Sequence, residues 1–279
     1  MHPVNFDSSA ALCMLLYEPS KNRPWYSGGP MKKASIVGCG RVRTRIKPLL
    51  GVGLFGYLFL MLGGCASTTV FLSSFNANTV GTPPSHNQSV GTIDIDGVPP
   101  GNVTIVSAPP NTTGNWALIS RQKSEVDPVT SMKCSLTQYS GHATGVYALL
   151  VVLFIPSGSG YATVEFDTPA QSPVPFEGFL HLDFTEANIV RIDDDNSLTF
   201  GTFPRDKPFT LSVTMDFTVS PATAHMQLIG AGASGSKDMP IPTPYLSNQF
   251  GTVNFYMGYP WNGYFDVTDI IVTHKGGQP

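Results

Sequence analysis

From Phe209 to Ser220 the chain alternates without a break. Phe209, Leu211, Val213, Met215, Phe217 and Val219 are separated by Thr210, Ser212, Thr214, Asp216, Thr218 and Ser220. A period of two sends every apolar side chain to one side of an extended backbone, whereas a helix would scatter them around its axis. The pattern therefore predicts a half-buried strand. It returns at Tyr161–Asp167, with Ala162, Val164 and Phe166 on one side, and again at Leu180, Leu182 and Phe184. Tyr147–Ile155 is apolar throughout, which suits a central strand covered on both faces, and its β-branched and aromatic residues favour strand over core helix. Further strands are expected at 70–75, 90–95, 103–106, 116–120, 189–192, 198–200, 225–229, 252–257 and 264–272. Turn clusters such as Asp193-Asp194-Asp195-Asn196 and Asn262-Gly263 separate them. So many short strands without helical pattern predict an all-β chain, a two-sheet antiparallel sandwich or jelly roll.

Charge divides the chain into two parts. Lys21, Arg23, Lys32, Lys33, Arg41, Arg43, Arg45 and Lys47 precede Cys65 against only Asp7 and Glu18, a net of +6 from eight bases and two acids. The 215 residues from Cys65 onward hold the other eight bases and seventeen acids, a net of −9. That balance argues against nucleic acid as a partner, since phosphate binding draws on clustered Lys and Arg. A body of this size is one ordinary domain, able to bury a core without disulfides. Cys134 is the body's one cysteine besides Cys65, so it is read as a small buried hydrophobe.

Residues 31–64 have the layout of an export signal. Met31-Lys32-Lys33 and the bases from Arg41 to Lys47 lead into Leu49–Leu62, an uncharged apolar run of 14 residues. A membrane-spanning helix needs roughly 20, so the run suits the core of a signal peptide. It ends in Leu62-Gly63-Gly64-Cys65. This resembles the lipobox of bacterial lipoproteins. The resemblance implies diacylglycerol on the Cys65 sulfur, cleavage before Cys65, and an exported protein lipid-anchored to the cell envelope. Ala66, in place of the Asp that retains such proteins at the inner membrane, points to the outer membrane. Residues 1–30 fit no part of an export signal and are read as a start assigned too far upstream or as disordered. Residues 65–279 form the sandwich domain, with 67–89 partly a tether.

The body carries a second resemblance. A Phe75-to-Pro83 segment of the form FxxN…GxP opens it, and Gly263-Tyr264-Phe265-Asp266-Val267-Thr268-Asp269-Ile270-Ile271-Val272 closes it. This is similar to concanavalin A-like and laminin G-like jelly rolls, a superfamily holding lectins, laminin-G modules, polysaccharide hydrolases and lyases. Fold alone does not choose among those activities.

Candidate sites are few. Glu165 and Asp167 are two residues apart on a strand, hence on one face and roughly 7 Å apart at the backbone. Such a pair suits a nucleophile with a general acid, and it resembles part of the Glu-x-Asp-x-x-Glu signature of β-glucanases. The third acid is missing, because Pro169, Ala170 and Gln171 follow. The pair is therefore first a solvated strand face and only second a catalytic candidate, and Asp94 with Asp96 has a weaker case. Asp193, Asp194 and Asp195 concentrate oxygen donors suited to Ca2+, although a polar hairpin turn is the ordinary explanation for them. Tyr259, Trp261 and Tyr264, with Tyr256, crowd around Asn262-Gly263, where exposed rings would stack on sugars. Gly230 to Gly235 spells G-x-G-x-x-G, but Pro240, Pro242 and Pro244 exclude the helix that a dinucleotide site needs. His86, His142, His181, His225 and His274 show no zinc or nucleophile spacing.

Three functions follow from these features. The first is a membrane-anchored envelope lipoprotein whose sandwich is a non-catalytic binding or structural module, with glycan as the candidate ligand. The second is a polysaccharide-acting hydrolase or lyase. The third is a protein-partner component of an envelope complex.

Overall fold

A computed structural model describes residues 67–97, 100–122, 130–137, 145–168, 178–193, 195–241, 250–258 and 262–276. The alternation read from the sequence becomes two antiparallel sheets. The first has the order β13 (Ser236–Pro240), β12 (Thr223–Ile229), β11 (Pro208–Asp216), β6 (Val146–Phe154), β15 (Gly263–Lys275), β4 (Asn115–Arg121) and β3 (Val103–Ser107). Strand β1 (Thr68–Ser73) also pairs with β15. The second sheet runs β10 (Asp195–Thr202), β9 (Ile189–Ile192), β8 (Gly178–Phe184), β7 (Ala162–Asp167), β14 (Thr252–Met257), β5 (Ser131–Ser135) and β2 (Thr92–Asp96). Among the described residues the one helical piece is a 3-10 turn at Pro100–Asn102, and no helix is long and apolar enough to cross a membrane.

The core lies between the sheets. Phe209, Leu211, Val213 and Met215 of β11 point inward, as do Val164 and Phe166 of β7, Leu180 and Leu182 of β8, and Val253 and Phe255 of β14. Each large apolar side chain taken out of water contributes about 1.5–3 kcal/mol, so this two-sided interior is the main source of stability. Aromatic clusters close both ends. Phe184, Phe203 and Phe209 meet with centroids 5.3 to 5.7 Å apart at one end. At the other, Tyr147 lies 5.4 Å from Phe250 and 5.9 Å from Phe217, in edge-on packing that suits the ring quadrupoles.

The strands differ from expectation in four places. Strand β11 stops at Asp216, because the Asp216 carboxylate accepts the Thr218 amide at 2.8 Å and turns the chain before Pro221. Val219, expected on the apolar face, is left 47% exposed in that turn. Strand β6 is central, between β11 and β15, but covered fully on one side only: Leu149, Val151 and Leu153 are buried while Leu150 and Val152 are half-buried. Strands β5 and β13 have no strong counterpart in the sequence, since Ser-Met-Lys-Cys-Ser and Ser-Lys-Asp-Met-Pro carry little apolar signal. The turn at Asn262-Gly263 does form. Gly263 adopts φ +126°, and a Cβ there would stand 2.7 Å from the Ser159 Cα.

One side chain ties three loops together. Arg205 donates to the carbonyls of Pro156 at 3.0 Å, Ser159 at 2.9 Å and Thr185 at 2.9 Å, and to Asn188 Oδ1 at 2.8 Å. Its guanidinium also stacks over Phe203. Arg205→Ala strips donors from three carbonyls and should lower stability by about 2–4 kcal/mol, read from urea unfolding midpoints. Arg205→Lys should recover only part of that loss, because one ammonium cannot span the fork.

Candidate functional site

The outer face of the second sheet gathers the titratable residues. Strand pairing sets Asp94, Lys133, Asn254, Glu165 and His181 side by side across β2, β5, β14, β7 and β8. Four strand spacings of about 4.8 Å make this row roughly 19 Å long. One step along the strands runs a second row: Asp96, Ser131, Tyr256, Thr163, Asp183 and Arg191. The apolar alternates of the same strands face the core, so the sequence delivers these side chains outward by default.

The two rows are knitted together. Arg191 holds Asp183 Oδ2 through Nη2 at 2.7 Å and Nε at 3.2 Å, while Thr163 donates to Asp183 Oδ1 at 2.7 Å. His181 Nε2 stands 3.7 Å from the same carboxylate and 2.8 Å from Tyr256 Oη. Tyr256 also hydrogen-bonds to Glu165. With one proton to give, its hydroxyl donates to the carboxylate and accepts from the imidazole. Burial and the neighbouring carboxylates, Glu165 first, hold the Tyr256 phenol well above its ordinary value, so it stays neutral. Glu165 leans into space left by a glycine: a Cβ on Gly178 would stand 2.2 Å from Glu165 Oε1. Lys133 pairs with Asp96 at the other end.

Two groups at the centre are unusual. Asn254 is only 7% exposed, its Nδ2 reaches Glu165 Oε2 at a long 3.5 Å, and among the described residues its Oδ1 has no hydrogen-bond donor. A buried acceptor without a donor costs free energy and so calls for explanation. Asp167 is 3% exposed, and burial first, then the Glu165 charge, raise it from 3.8 to about 7 against the opposing pull of Lys133.

The sequence expectations divide here. Glu165 and Asp167 do share one face, but the expected solvated character fails for Asp167, which is buried. Asp193 and Asp195 spend their carboxylates on the backbone: Asp193 Oδ1 accepts the His181 amide at 2.9 Å, and Asp195 Oδ1 accepts the Ser197 amide at 2.8 Å. Among the described residues no cluster of three His, Cys, Asp or Glu is arranged to hold a metal. Tyr264 is 39% exposed, braced at its backbone by Ser159. Tyr256 is not its neighbour but part of the polar rows. Cys65, Asp194, Tyr259 and Trp261 lie outside the described residues. His181, Asp183, Arg191, Lys133, Asn254 and Tyr256 were not grouped by sequence reasoning. The signal was present: the outward positions of β7, β8 and β14 carry Glu, Asp, His, Asn and Tyr, whereas those of β11 carry Thr210, Ser212 and Thr214.

No family model matches the chain, and no curated protein matches it. Among solved structures, a carbohydrate esterase from Shiga toxin-encoding bacteriophage phi24B superposes with TM-score 0.51 and 10% identity, over 76% of this chain and 100% of that one. Arcelin-5, a lectin-like defence protein from Phaseolus vulgaris, gives 0.47 and 10%, over 76% and 99%. The catalytic domain of a glycoside hydrolase family 131 protein from Coprinopsis cinerea gives 0.47 and 14%, over 76% and 95%. The likeness is one of fold: this chain is an all-β, two-sheet antiparallel sandwich.

Asp167 has a partner in behaviour on the first sheet. Asp266 of β15 is buried, and desolvation raises it from 3.8 to about 7. Both carboxyls ionise near pH 4 in the unfolded chain but hold their protons to about pH 7 when folded. Between those values the unfolded state binds fewer protons, so stability falls as pH rises from about 4 to 7 and levels off above. Three pKa units correspond to at most about 4 kcal/mol per group. Asp167→Asn and Asp266→Asn should each flatten this slope and raise the urea midpoint at pH 8 more than at pH 5. An unchanged slope in both variants would remove the assignment.

Proposed function

We propose that this protein is an exported envelope lipoprotein, anchored through Cys65 to the outer membrane, whose sandwich binds glycan on the outer face of the second sheet without cleaving it. The observation that carries the binding reading is the knitted polar row with the donor-less Asn254 Oδ1 at its centre. Sugar hydroxyls both donate and accept, so a row that mixes acceptors with Tyr256, Lys133 and His181 matches them. Asp94, Asp96, Glu165 and Asp183 outnumber Lys133 and Arg191 on this face, and both cations are already paired with acids. Such a surface repels uronic acids and phosphates and selects neutral or amine-bearing sugars. The anchor reading is supported by the Leu62-to-Cys65 motif and the basic, apolar leader before it.

A glycan array probed with the full-length protein, with and without Ca2+, should show neutral or amino sugars bound and anionic ones rejected. Asn254→Ala and Tyr256→Phe should each weaken binding about tenfold or more, the worth of one to two hydrogen bonds in a shielded site. Wild-type failure on every neutral glycan would remove this reading in favour of a protein partner. Cys65→Ala should move the protein from the membrane to the soluble fraction and abolish acyl labelling.

A second reading, glycoside hydrolysis, is favoured by one observation. A carboxyl held protonated to about 7 beside a second carboxyl suits the division of labour that such hydrolysis needs, with Asp167 as proton donor and Glu165 as the candidate nucleophile. Release of reducing ends from a bound glycan, lost in both Glu165→Gln and Asp167→Asn, would establish it.

A further inference from the structure

Strand β1 begins at Thr68, so only Ala66 and Ser67 separate Cys65 from the folded sheet. The stretch expected to be partly a tether is therefore largely structure, and the lipid has almost no slack. Where that short lead enters the sandwich decides what faces the bilayer.

Register places the entry point at one end. Thr68 pairs with His274, His274 with Tyr147, and Tyr147 with Met215, one residue before β11 turns. The second sheet reaches the same end by a chain of backbone hydrogen bonds. Thr137 N donates to Val70 O at 2.8 Å, Leu136 N to Gly251 O at 2.9 Å, and Gly251 N to Asp167 O at 3.0 Å. Three strand spacings carry Val70 to Asp167, roughly 14 Å. Val70 follows Cys65 by five positions, at most about 18 Å of chain. The Asp167 end of the polar face thus lies within about 32 Å of the Cys65 backbone by these two bounds.

The opposite end is far away. Tyr264 precedes His274 by ten residues on β15, about 34 Å along the strand. Around it stand the exposed Ile189 and the β8–β9 turn that carries Ala187. Among the described residues the exposed groups at the entry end include Val219 and Lys275, an apolar side chain and a cation, both suited to a lipid headgroup layer. The carboxylate of Asp216, where β11 ends, is occupied by Thr218.

We infer that the sandwich stands end-on on the bilayer, with the β11–β12 turn and the end of β15 against the headgroups and the Tyr264 end directed away. The inference rests on the anchor at Cys65. The Asp167–Glu165 end of the polar face is then membrane-proximal, and the ligands it meets are sugars displayed within a few tens of ångströms of the lipid.

The test uses the full-length, acylated protein in vesicles of phosphatidylethanolamine and phosphatidylglycerol carrying a headgroup-level spin quencher. A fluorophore is placed by Val219→Cys in one variant and by Ala187→Cys in another; Cys134 is buried, with its thiol pushed well above the ordinary value, and stays unlabelled. Quenching at position 219 should exceed that at position 187 at least threefold. A 30-residue Gly/Ser insertion after Ser67 should erase the difference. Equal or reversed quenching in membrane-bound protein would overturn the end-on arrangement while leaving the anchor standing. Loss of vesicle binding altogether, with Cys65→Ala fractionating like wild type, would instead overturn the anchor.

Discussion

Strand β15 is the element on which the rest depends. Over Gly263–Lys275 it pairs with β6 along one edge, and along the other with β4 through Gly263–Val267 and then with β1 through Ile270–His274. The backbone of β15 breaks between the stretches that those two partners use. Asp269 supplies the break, with φ +48° and a shift of register between Thr268 and Ile271. The extra residue of a bulge bends the strand and leaves one position unpaired. Here it also preserves alternation on both halves, so that Phe265 and Val267 before it and Ile270 and Val272 after it all enter the core.

The two outer faces of the sandwich are built from the same alternation but hold different chemistry. On the first sheet the outward residues of β11 are small hydroxyls, and those of β6 are Leu150, Val152 and Phe154. On the second sheet they are acids, an imidazole, a phenol and an amide, mutually bonded. Holding that set together is costly. Asp183 is buried, tolerable because Arg191 and Thr163 satisfy its carboxyl from two sides. Asp167 has no comparable pairing and instead keeps its proton. The glycine at 178 is part of the same arrangement, since any side chain there would displace the Glu165 carboxylate. A face needed only for solubility would carry Lys, Ser and Thr at the surface and none of these buried constraints.

Much of this was legible in the sequence, and the reasons for the remainder are physical. Period-two alternation reads burial directly, which is why β7, β8, β11 and β14 are where the side chains predict them. It reads poorly where a strand's inward residues are weakly apolar, as Met132 and Cys134 are in β5, or where an edge strand is mostly polar, as β13 is. The Glu165–Asp167 pair was visible because both acids lie on one strand. His181 and Tyr256 were not, because their neighbourhood is created by hydrogen bonding across β7, and residues 75 positions apart have no spacing to recognise. The Asp193–Asp195 run shows the converse. Its spacing suits a cation, and what the spacing does not show is that one oxygen each of Asp193 and Asp195 accepts a backbone amide at the β9–β10 turn.

Charge ties the site to its setting. The body is net −9, and its acids are not spread evenly: four of them, Asp167 aside, stand on the outer face of the second sheet, where two bases answer them. Screening over about 8 Å at physiological ionic strength weakens repulsion from distant charges but not from neighbours a strand apart. An anionic polysaccharide brought to Asn254 would meet Glu165 within one strand spacing and Asp183 within two. A neutral ring would meet the same groups as hydrogen-bond acceptors, with the Tyr256 phenol kept protonated by those very carboxylates. On the proposed glycan reading, the acids that make the face costly to fold would also govern what approaches it, turning away charge of their own sign and receiving hydroxyl and amine donors.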